Sequence, residues 1–169
     1  IVNSLKGKEF DVIYVSHNKE NFLKPSEGIK LCEELFSNYN KDIIAITRNV
    51  FNDSELNELV NLQKKMKEKD NDLFLAVSIP AKESINITEG NDLIPTPSKR
   101  IDFLKRAKEK GLTTILVIRP LFPNNIIPTS EALEIIDDLN GYVDCVLSSG
   151  LAVNKAILSQ LKMSEEQFK

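Results

Sequence analysis

The chain has 169 residues, which suits one domain, and its 41% apolar and 28% charged residues are typical of a globular protein. Its net charge of −3 argues against a nucleic-acid surface driven by bulk charge. No apolar run approaches the roughly 20 residues needed to cross a bilayer, so we expect no membrane span. The two cysteines, Cys32 and Cys145, lie in apolar periodic segments, and a reduced, cytoplasmic protein is the simplest interpretation.

The chain begins at Ile1 rather than Met, and its first letters, IVNSLKGK, resemble the end of a helix. We therefore expect residues 1–169 to form a single domain whose N-terminal part is missing. Whether the C-terminus is native stays open.

Five short apolar runs are rich in Val and Ile and nearly continuous rather than alternating. This pattern is typical of strands that are covered on both faces of a parallel sheet. One amphipathic helix fits in each gap between them. The runs are FDVIYVS at 10–16, DIIAIT at 42–47, LFLAVSI at 73–79, LTTILVI at 112–118 and YVDCVL at 142–147.

The first two predicted helices have recognisable start signals. One follows KPSE at 24–27, and the other follows NDSE at 52–55, where Asn52 and Glu55 have the spacing of a capping box. The helical period predicts two buried faces. These are Ile29, Cys32, Leu35, Phe36 and Tyr39 in the first helix, and Leu56, Leu59, Val60 and Met66 in the second.

The third helix begins at TPSKR, where Thr96 can act as the N-cap and Pro97 suits the first helical position. Gly111 is predicted to end it in a left-handed conformation. A fourth helix starts at PTSE, a fifth at Asn154, and SEEQ at 164–167 is typical of another helix start. The predicted buried residues are Ile101, Leu104 and Ala107, then Leu133, Ile136 and Leu139, then Ile157 and Leu161.

Strands that alternate with helices and right-handed crossovers leave two architectures, a TIM-type barrel and a doubly wound sheet. Five units are too few for a closed eight-stranded barrel. No glycine-rich phosphate loop follows the first strand, which weakens the dinucleotide-binding form of the doubly wound sheet. We therefore predict an α/β fold, a partial TIM-type (β/α) barrel with parallel strands, outer helices and five βα units.

Polar residues follow every predicted strand, at the ends where both architectures carry their chemistry. Five polar exits that converge on one rim predict a polar binding site. The connection at 80–97 is the longest, and long connections in compact domains are usually functional or disordered. The exits read SHNKENF, TRN, SIPAKES, RPLFPNN and SSG in chain order.

The sequence of these exits resembles that of radical SAM enzymes, in the branch of spore photoproduct lyase and its relatives. That branch has a strand ending in Ser-hydrophobe-Thr, then Glu-Pro-Gly, then Pro-Ser-x-x-Arg opening a helix that ends at Ala-Gly, and then a Pro-hydrophobe-hydrophobe-Pro turn. The resemblance spans roughly residues 10 to 150. The matching residues are Ser78-Ile79-Pro80, Glu89-Gly90-Asn91, Pro97-Ser98-Lys99-Arg100, Lys110-Gly111 and Pro120-Leu121-Phe122-Pro123.

The resemblance implies two cofactors, S-adenosylmethionine (SAM) and a [4Fe–4S] cluster, which together generate a 5′-deoxyadenosyl radical that abstracts a hydrogen from substrate. It also implies an electron donor such as flavodoxin or ferredoxin. The substrate stays unknown, and nucleic acid is a partner only by family analogy.

The family's Cys-x3-Cys-x2-Cys motif does not occur in these 169 residues and would precede Ile1. Two widely separated cysteines cannot hold such a cluster. We therefore predict no metal ligand in this chain and expect the fragment itself to be inactive.

The resemblance suggests residues that contact SAM and leaves the catalytic residues unknown. Ser78 corresponds to a position that commonly contacts the ribose or carboxylate, the alternative being a serine that caps its own strand. Arg119 can form a two-pronged hydrogen bond to the SAM carboxylate or to an anionic substrate, or a salt bridge to Glu89 or Asp144. The branch often has a small apolar residue there. The other candidates are Thr47, Arg48, Glu89 as an acceptor for a ribose hydroxyl, and Ser16 and Asn18 in place of the family's Gly-Gly-Glu-Pro.

The neighbouring sequence suggests roles for two further residues. Arg100 lies in the first turn of its helix, where a positive charge is unfavourable, which indicates a specific partner such as Glu89. His17, the only histidine, is interpreted as an ordinary loop residue rather than a proton-transfer group.

Two other functions stay open. One is a domain without the cluster motif that binds a small molecule or a protein partner. The other is an unrelated TIM-barrel enzyme. Two features of the sequence argue against it: no lysine is placed at a strand end for Schiff-base chemistry, and no glycine pair is placed to cradle phosphate. Gene sequence before Ile1 would separate the radical SAM hypothesis from the first of these.

Overall fold

The computed structural model describes residues 5–16, 20–89, 93–151 and 159. The predicted helices from Asn154 and at 164–167 lie outside these residues. No helix in the described part of the chain is long and apolar enough to cross a membrane. In chain order the elements are β1 (Val12–Val15), α1 (Pro25–Tyr39), β2 (Asp42–Thr47), α2 (Asp53–Lys67), β3 (Leu73–Ser78), α3 (Ile85–Thr88), α4 (Pro97–Glu109), β4 (Thr113–Leu121), α5 (Thr129–Asp138) and β5 (Cys145–Gly150).

The five strands form one parallel sheet in the order β1-β2-β3-β4-β5, curled into a half-barrel with helices. The predicted parallel α/β architecture is confirmed at this level. A doubly wound sheet requires a reversal of strand order, and this sheet has none. Because every crossover proceeds to the next strand in the same direction, the connecting helices pack on one face of the sheet.

The two faces of the sheet differ in burial. On the helix-covered face of β2, Ile43, Ala45 and Thr47 are buried, whereas Ile44 and Ile46 on the other face are partly exposed. The strand register continues this second, concave face across the sheet. One row runs Ile46, Ala76, Ile115 and Cys145. The helix-covered face therefore holds the core, and the concave face has polar strand ends at its carboxyl rim.

Two predicted strand boundaries are wrong at the far side of the sheet. β4 continues through Arg119 and Pro120 to Leu121, with irregular pairing to β5 after Ile118, and its Arg119–Pro120 peptide is cis. β5 starts at Cys145 and ends at 150, so the predicted exit SSG lies within the strand. Strand pairing extends into polar residues here because they lie at the solvent-exposed rim, where polarity does not oppose pairing.

The predicted helix signals are largely confirmed. Asn52 accepts from the Glu55 amide while the Glu55 carboxylate accepts from the Asn52 amide, the reciprocal capping box. Gly111 has a positive φ of 86° at the end of α4. Pro97 opens that helix, but the Thr96 side chain does not cap it.

The predicted buried face of α5 is wrong at one position. Leu133 is 57% exposed, whereas Ala132 and Ile135 are buried. The turn that buries them also buries Glu131. The buried face is therefore rotated by one residue, because Glu131 forms polar contacts inside the protein that hydrophobic periodicity alone does not reveal.

A close contact with α1 holds the loop that follows β1, which is the first strand exit at the carboxyl rim. Phe22 is fully buried, and its ring lies on Gly28 of α1, where a Cβ would overlap the ring. Phe22 also packs against Phe51, with ring centroids 5.6 Å apart, and Phe51 packs against Phe103 at 5.0 Å. The absence of a side chain at Gly28 thus allows the loop to reach the core.

We expect Gly28→Ala to destabilise the protein by about 1–3 kcal/mol, because the added methyl group overpacks against Phe22. Urea unfolding would measure the difference. Ser37→Ala, at an exposed position of the same helix, is the control and should change stability by less than about 0.5 kcal/mol. A stabilised Gly28→Ala protein would mean that helix propensity outweighs this contact.

Candidate functional site

A cavity of about 290 Å³ lies at the carboxyl ends of the strands. It brings together six of the seven predicted cofactor-binding residues, which come from four different strand exits. They are Ser16, Thr47, Arg48, Ser78, Glu89 and Arg119. Asn18 and His17 lie outside the described residues, as do Gly90 and Asn91 of the resemblance.

Glu20 is the charged residue of this cavity that the sequence analysis missed. Its Oε1 accepts hydrogen bonds from the Thr47 hydroxyl at 3.1 Å and the Phe22 amide at 3.0 Å, and its Oε2 accepts from the Arg48 amide at 2.9 Å. A carboxylate from one strand exit thus holds the exit of the next strand. The only available signal was an acidic residue in a polar exit, which does not reveal a partner 27 residues away.

The hydroxyl groups of Thr47 and Ser16 are used within the protein. Thr47 is 1% exposed, and besides donating to Glu20 its hydroxyl accepts from the Asn49 amide at 2.9 Å. The Ser16 hydroxyl accepts from the Asn21 amide at 2.7 Å. Both residues line the cavity, but their hydroxyls shape its wall.

A buried ion pair forms the floor between β3 and α4. The side chains of Arg100 and Glu89 are 1% and 4% exposed and form a two-pronged pair, with Nη1 donating to Oε1 at 3.1 Å and Nη2 donating to Oε2. Nη1 also donates to the Ser78 carbonyl at 2.6 Å. The predicted partner of Arg100 is confirmed. The Nε atom of Arg100 is buried without a hydrogen-bond partner in the described structure.

The predicted salt bridges of Arg119 to Glu89 or Asp144 are wrong. Arg119 is exposed, and its Nε donates to the Ser149 hydroxyl at 2.8 Å. Glu89 is engaged by Arg100, and Asp144 binds Lys108 and the Thr114 amide instead. Burial alone would raise the pKa of Asp144, but these contacts outweigh it and lower that pKa below its usual range.

The guanidinium groups of Arg48 and Arg119 give the cavity its available positive charge. The Arg48 backbone is held by Glu20, while its guanidinium forms no hydrogen bond or ion pair within the described residues. Glu89 is neutralised by Arg100 and does not offset this charge, whereas the Glu20 carboxylate, which accepts from neutral donors, offsets one of the two positive charges. Because neither guanidinium group forms an ion pair with the described residues, the cavity keeps a net positive charge and is suited to an anionic ligand, above all a carboxylate.

Two neighbouring cavities extend the site in opposite directions. One of about 330 Å³ shares Ser78 and Arg119 and reaches Ser149 on β5. The other, of about 520 Å³, shares Glu20 and Arg48 and has an apolar wall formed by Leu23, Leu93, Ile94 and Pro95. The carboxyl rim therefore carries an elongated cleft with one apolar end.

Glu131 holds the long connection after β3 in place. Its Oε2 accepts from the Lys82 amide at 2.8 Å and the Ser84 amide at 3.0 Å, and its Oε1 accepts from the Ser84 hydroxyl. Burial acts to raise the pKa of Glu131, but these hydrogen bonds outweigh it and lower the pKa. The connection also contains α3, which the sequence analysis did not predict.

The cysteines do not form a metal site. Cys32 is fully buried in α1, where burial and the neighbouring charge of Glu33 raise the pKa of its thiol to about 12. Cys145 is exposed at the start of β5. Within the ranges that the structure describes, no three His, Cys, Asp or Glu residues are grouped so as to hold a metal ion.

No family model matches the sequence, and no curated protein matches it.

We expect Glu89→Gln to destabilise the protein by about 3–5 kcal/mol, because it leaves the charge of Arg100 buried and unpaired. Urea unfolding would measure this loss. Glu83→Gln, an exposed change in the same connection, should have little effect. The double variant Glu89→Leu with Arg100→Met should recover most of the loss, and a mild effect of Glu89→Gln alone would contradict a buried ion pair.

The stability contributed by Glu131 should depend on pH. Because the pKa is lower in the folded protein, the carboxylate stabilises the fold above its unfolded pKa of about 4.3 and loses this effect as pH falls through the folded value. The difference in unfolding free energy between wild type and Glu131→Gln should be constant from pH 6 to 7 and shrink below about pH 4. A difference that grows in acid would contradict this assignment.

Proposed function

We propose that this chain is the SAM-binding part of a radical SAM enzyme, folded as a partial TIM-type barrel, and that the 290 Å³ cavity is its SAM site. One observation carries the proposal. Six residues that the sequence predicts as cofactor-binding candidates, from four separate strand exits, line the same cavity. The consecutive strand order supports the TIM-type assignment, because such barrels are built without reversal of direction.

The residues of the cleft are suited to the chemical groups of SAM. The guanidinium of Arg48 would bind the methionyl carboxylate, and the Ser78 hydroxyl would bind a ribose hydroxyl. The apolar wall formed by Leu23, Leu93, Ile94 and Pro95 would take the adenine, which favours flat apolar surfaces. SAM would supply the deoxyadenosyl group from which the radical forms. This chain's own part would be to bind and orient that group.

In this proposal Glu89 does not accept a hydrogen bond from a ribose hydroxyl, as the resemblance suggested. Both of its oxygens are engaged by Arg100, which also binds the Ser78 carbonyl. The pair would fix the end of β3, and with it the Ser78 side chain, before the ligand arrives. Glu89 is thus a positioning residue.

The residues present do not fit the [4Fe–4S] cluster. Its iron ions need several clustered thiolates, but one of the two cysteines is buried with a pKa of about 12 and the other lies in β5. In this proposal the cluster motif belongs to sequence outside the 169 residues. The chain alone would bind SAM without cleaving it, and a reducing cytoplasm with flavodoxin or ferredoxin would be its natural setting.

We expect the 169-residue chain to bind SAM in isothermal titration calorimetry. Arg48→Met should weaken binding at least 10-fold, because it removes the partner of the carboxylate. Lys99→Met is the matched control, since it removes one positive charge from an exposed position of α4 and should leave the affinity unchanged.

The same preparation tests the rest of the proposal. After iron–sulfur reconstitution it should produce no 5′-deoxyadenosine above a control without protein. The longer gene product, purified anaerobically, should be brown and show a cluster signal in electron paramagnetic resonance. Wild-type protein that does not bind SAM, together with a colourless full-length product, would favour a domain that binds another small molecule or a protein.

A further inference from the structure

Arg119 is held in place at the concave face by its own strand and by β5. β4 continues three residues beyond Ile118, which carries Arg119 to the carboxyl rim. Its Nε donates to the Ser149 hydroxyl at 2.8 Å, and this contact orients the guanidinium plane. Since Nε is used for that contact, the two terminal nitrogens remain to donate as a fork.

No carboxylate of the described residues pairs with Arg119. The two carboxylates that could have served are committed elsewhere, Glu89 to Arg100 and Asp144 to Lys108. An exposed guanidinium group that pairs with no carboxylate of the described residues contributes little to the stability of the fold. It is instead available to an anion from solution.

Beside Arg119 lies the cavity of about 330 Å³, which adjoins the proposed SAM site and whose described lining has Arg119 as its one charged residue. Ile46 and Val117 give it an apolar floor, and Ser78 and Ser149 stand on its polar side. One cationic fork above an apolar floor matches a small molecule that has a single anionic group and an apolar body.

We propose that this second cavity binds a small organic carboxylate, which is the substrate class of the site. Arg119 binds the carboxylate with its terminal nitrogens, and the apolar body lies on Ile46 and Val117. The designation as substrate rests on the proposed function, whereas the binding of the carboxylate does not. The two cavities share Ile46, Ser78, Arg119 and Pro120, so a ligand here lies directly beside the proposed SAM site.

A carboxylate fits this cavity better than a phosphate ester does. One guanidinium fork satisfies the two oxygens of a carboxylate, whereas a phosphate group offers a further anionic oxygen and a second charge. The described residues around the 330 Å³ cavity supply no second cation and no glycine-rich loop.

Benzoate is a suitable probe, because it combines a carboxylate with a flat apolar body. We would titrate it into the full 169-residue chain and follow the methyl resonances of Ile46 and Val117 by carbon-13 nuclear magnetic resonance. Saturable shifts at both residues are expected. Benzyl alcohol, the neutral counterpart, should cause none at the same concentrations, and shifts of equal affinity with it would overturn the role of Arg119.

Variants of Arg119 distinguish the effect of its two-pronged hydrogen bonding from the effect of its positive charge. Arg119→Met should weaken benzoate binding at least 10-fold, and Arg119→Lys, which keeps the charge but loses the fork, should weaken it by a smaller factor. Lys99→Met should leave it unchanged. The methyl spectrum of each variant reports whether it is folded. Equal affinity in wild type and Arg119→Met would overturn the proposal.

A titration in the presence of saturating SAM distinguishes this inference from the proposed function. Unchanged benzoate affinity in SAM-saturated protein supports two separate sites. Competition would overturn the inference and make Arg119 the partner of the SAM carboxylate. If SAM does not bind at all but benzoate does, the proposed function fails while the carboxylate site stands. Tighter binding of phenyl phosphate than of benzoate would overturn the assignment to carboxylates.

Discussion

The buried pair of Arg100 and Glu89 joins the end of β3, the long connection and α4. Arg100 lies in the first turn of α4, Glu89 lies in the connection, and the Ser78 carbonyl that Arg100 also binds ends β3. Burying two charges carries a large desolvation cost that their attraction offsets only when the geometry is good. The pair therefore specifies one arrangement of these parts, which a hydrophobic contact of the same size would define less sharply. The floor of the cleft depends on this arrangement.

Other carboxylates also join neighbouring parts of the sheet, through hydrogen bonds to backbone amides. A carboxylate from one βα unit accepts hydrogen bonds from the backbone of the next, as Glu20 does from the Arg48 amide and Asp42 does from the Asp72 amide at 2.8 Å. Glu131 and Asp144 bind the backbone of the preceding units in the same way. Parallel strands leave backbone amides unpaired where they begin and end. These carboxylates satisfy such amides and fix neighbouring units relative to each other.

The sequence predicted the elements of this fold better than their contacts. Val- and Ile-rich runs identified the strands, and local chemistry at Asn52 and Gly111 identified helix ends, because both depend on nearby residues. The buried face of α5 and the limits of β5 could not be predicted from the sequence. The first depends on the contacts of Glu131 with the β3–α4 connection, and the second depends on how β5 pairs with β4 at the rim. The rule that polar strand exits converge was sufficient to find six residues of the cavity, though not Glu20. It could not assign all of their roles. The position of Arg100 in a first helical turn pointed to Glu89 as its partner, but the contact of Arg119 with Ser149 depends on how β4 and β5 pair.

The contrast between the two cysteines has a practical consequence for labelling. The thiol of Cys32 has no access to solvent, and its pKa of about 12 keeps it protonated at neutral pH, where thiol reagents need the thiolate. Cys145 is exposed, and its place in the register beside Ile115 puts it on the concave face, four residues before Ser149. A maleimide dye would therefore attach at a single, natural position inside the half-barrel. The protein thus carries its own attachment point for a fluorophore on the concave face, about four strand residues from the rim.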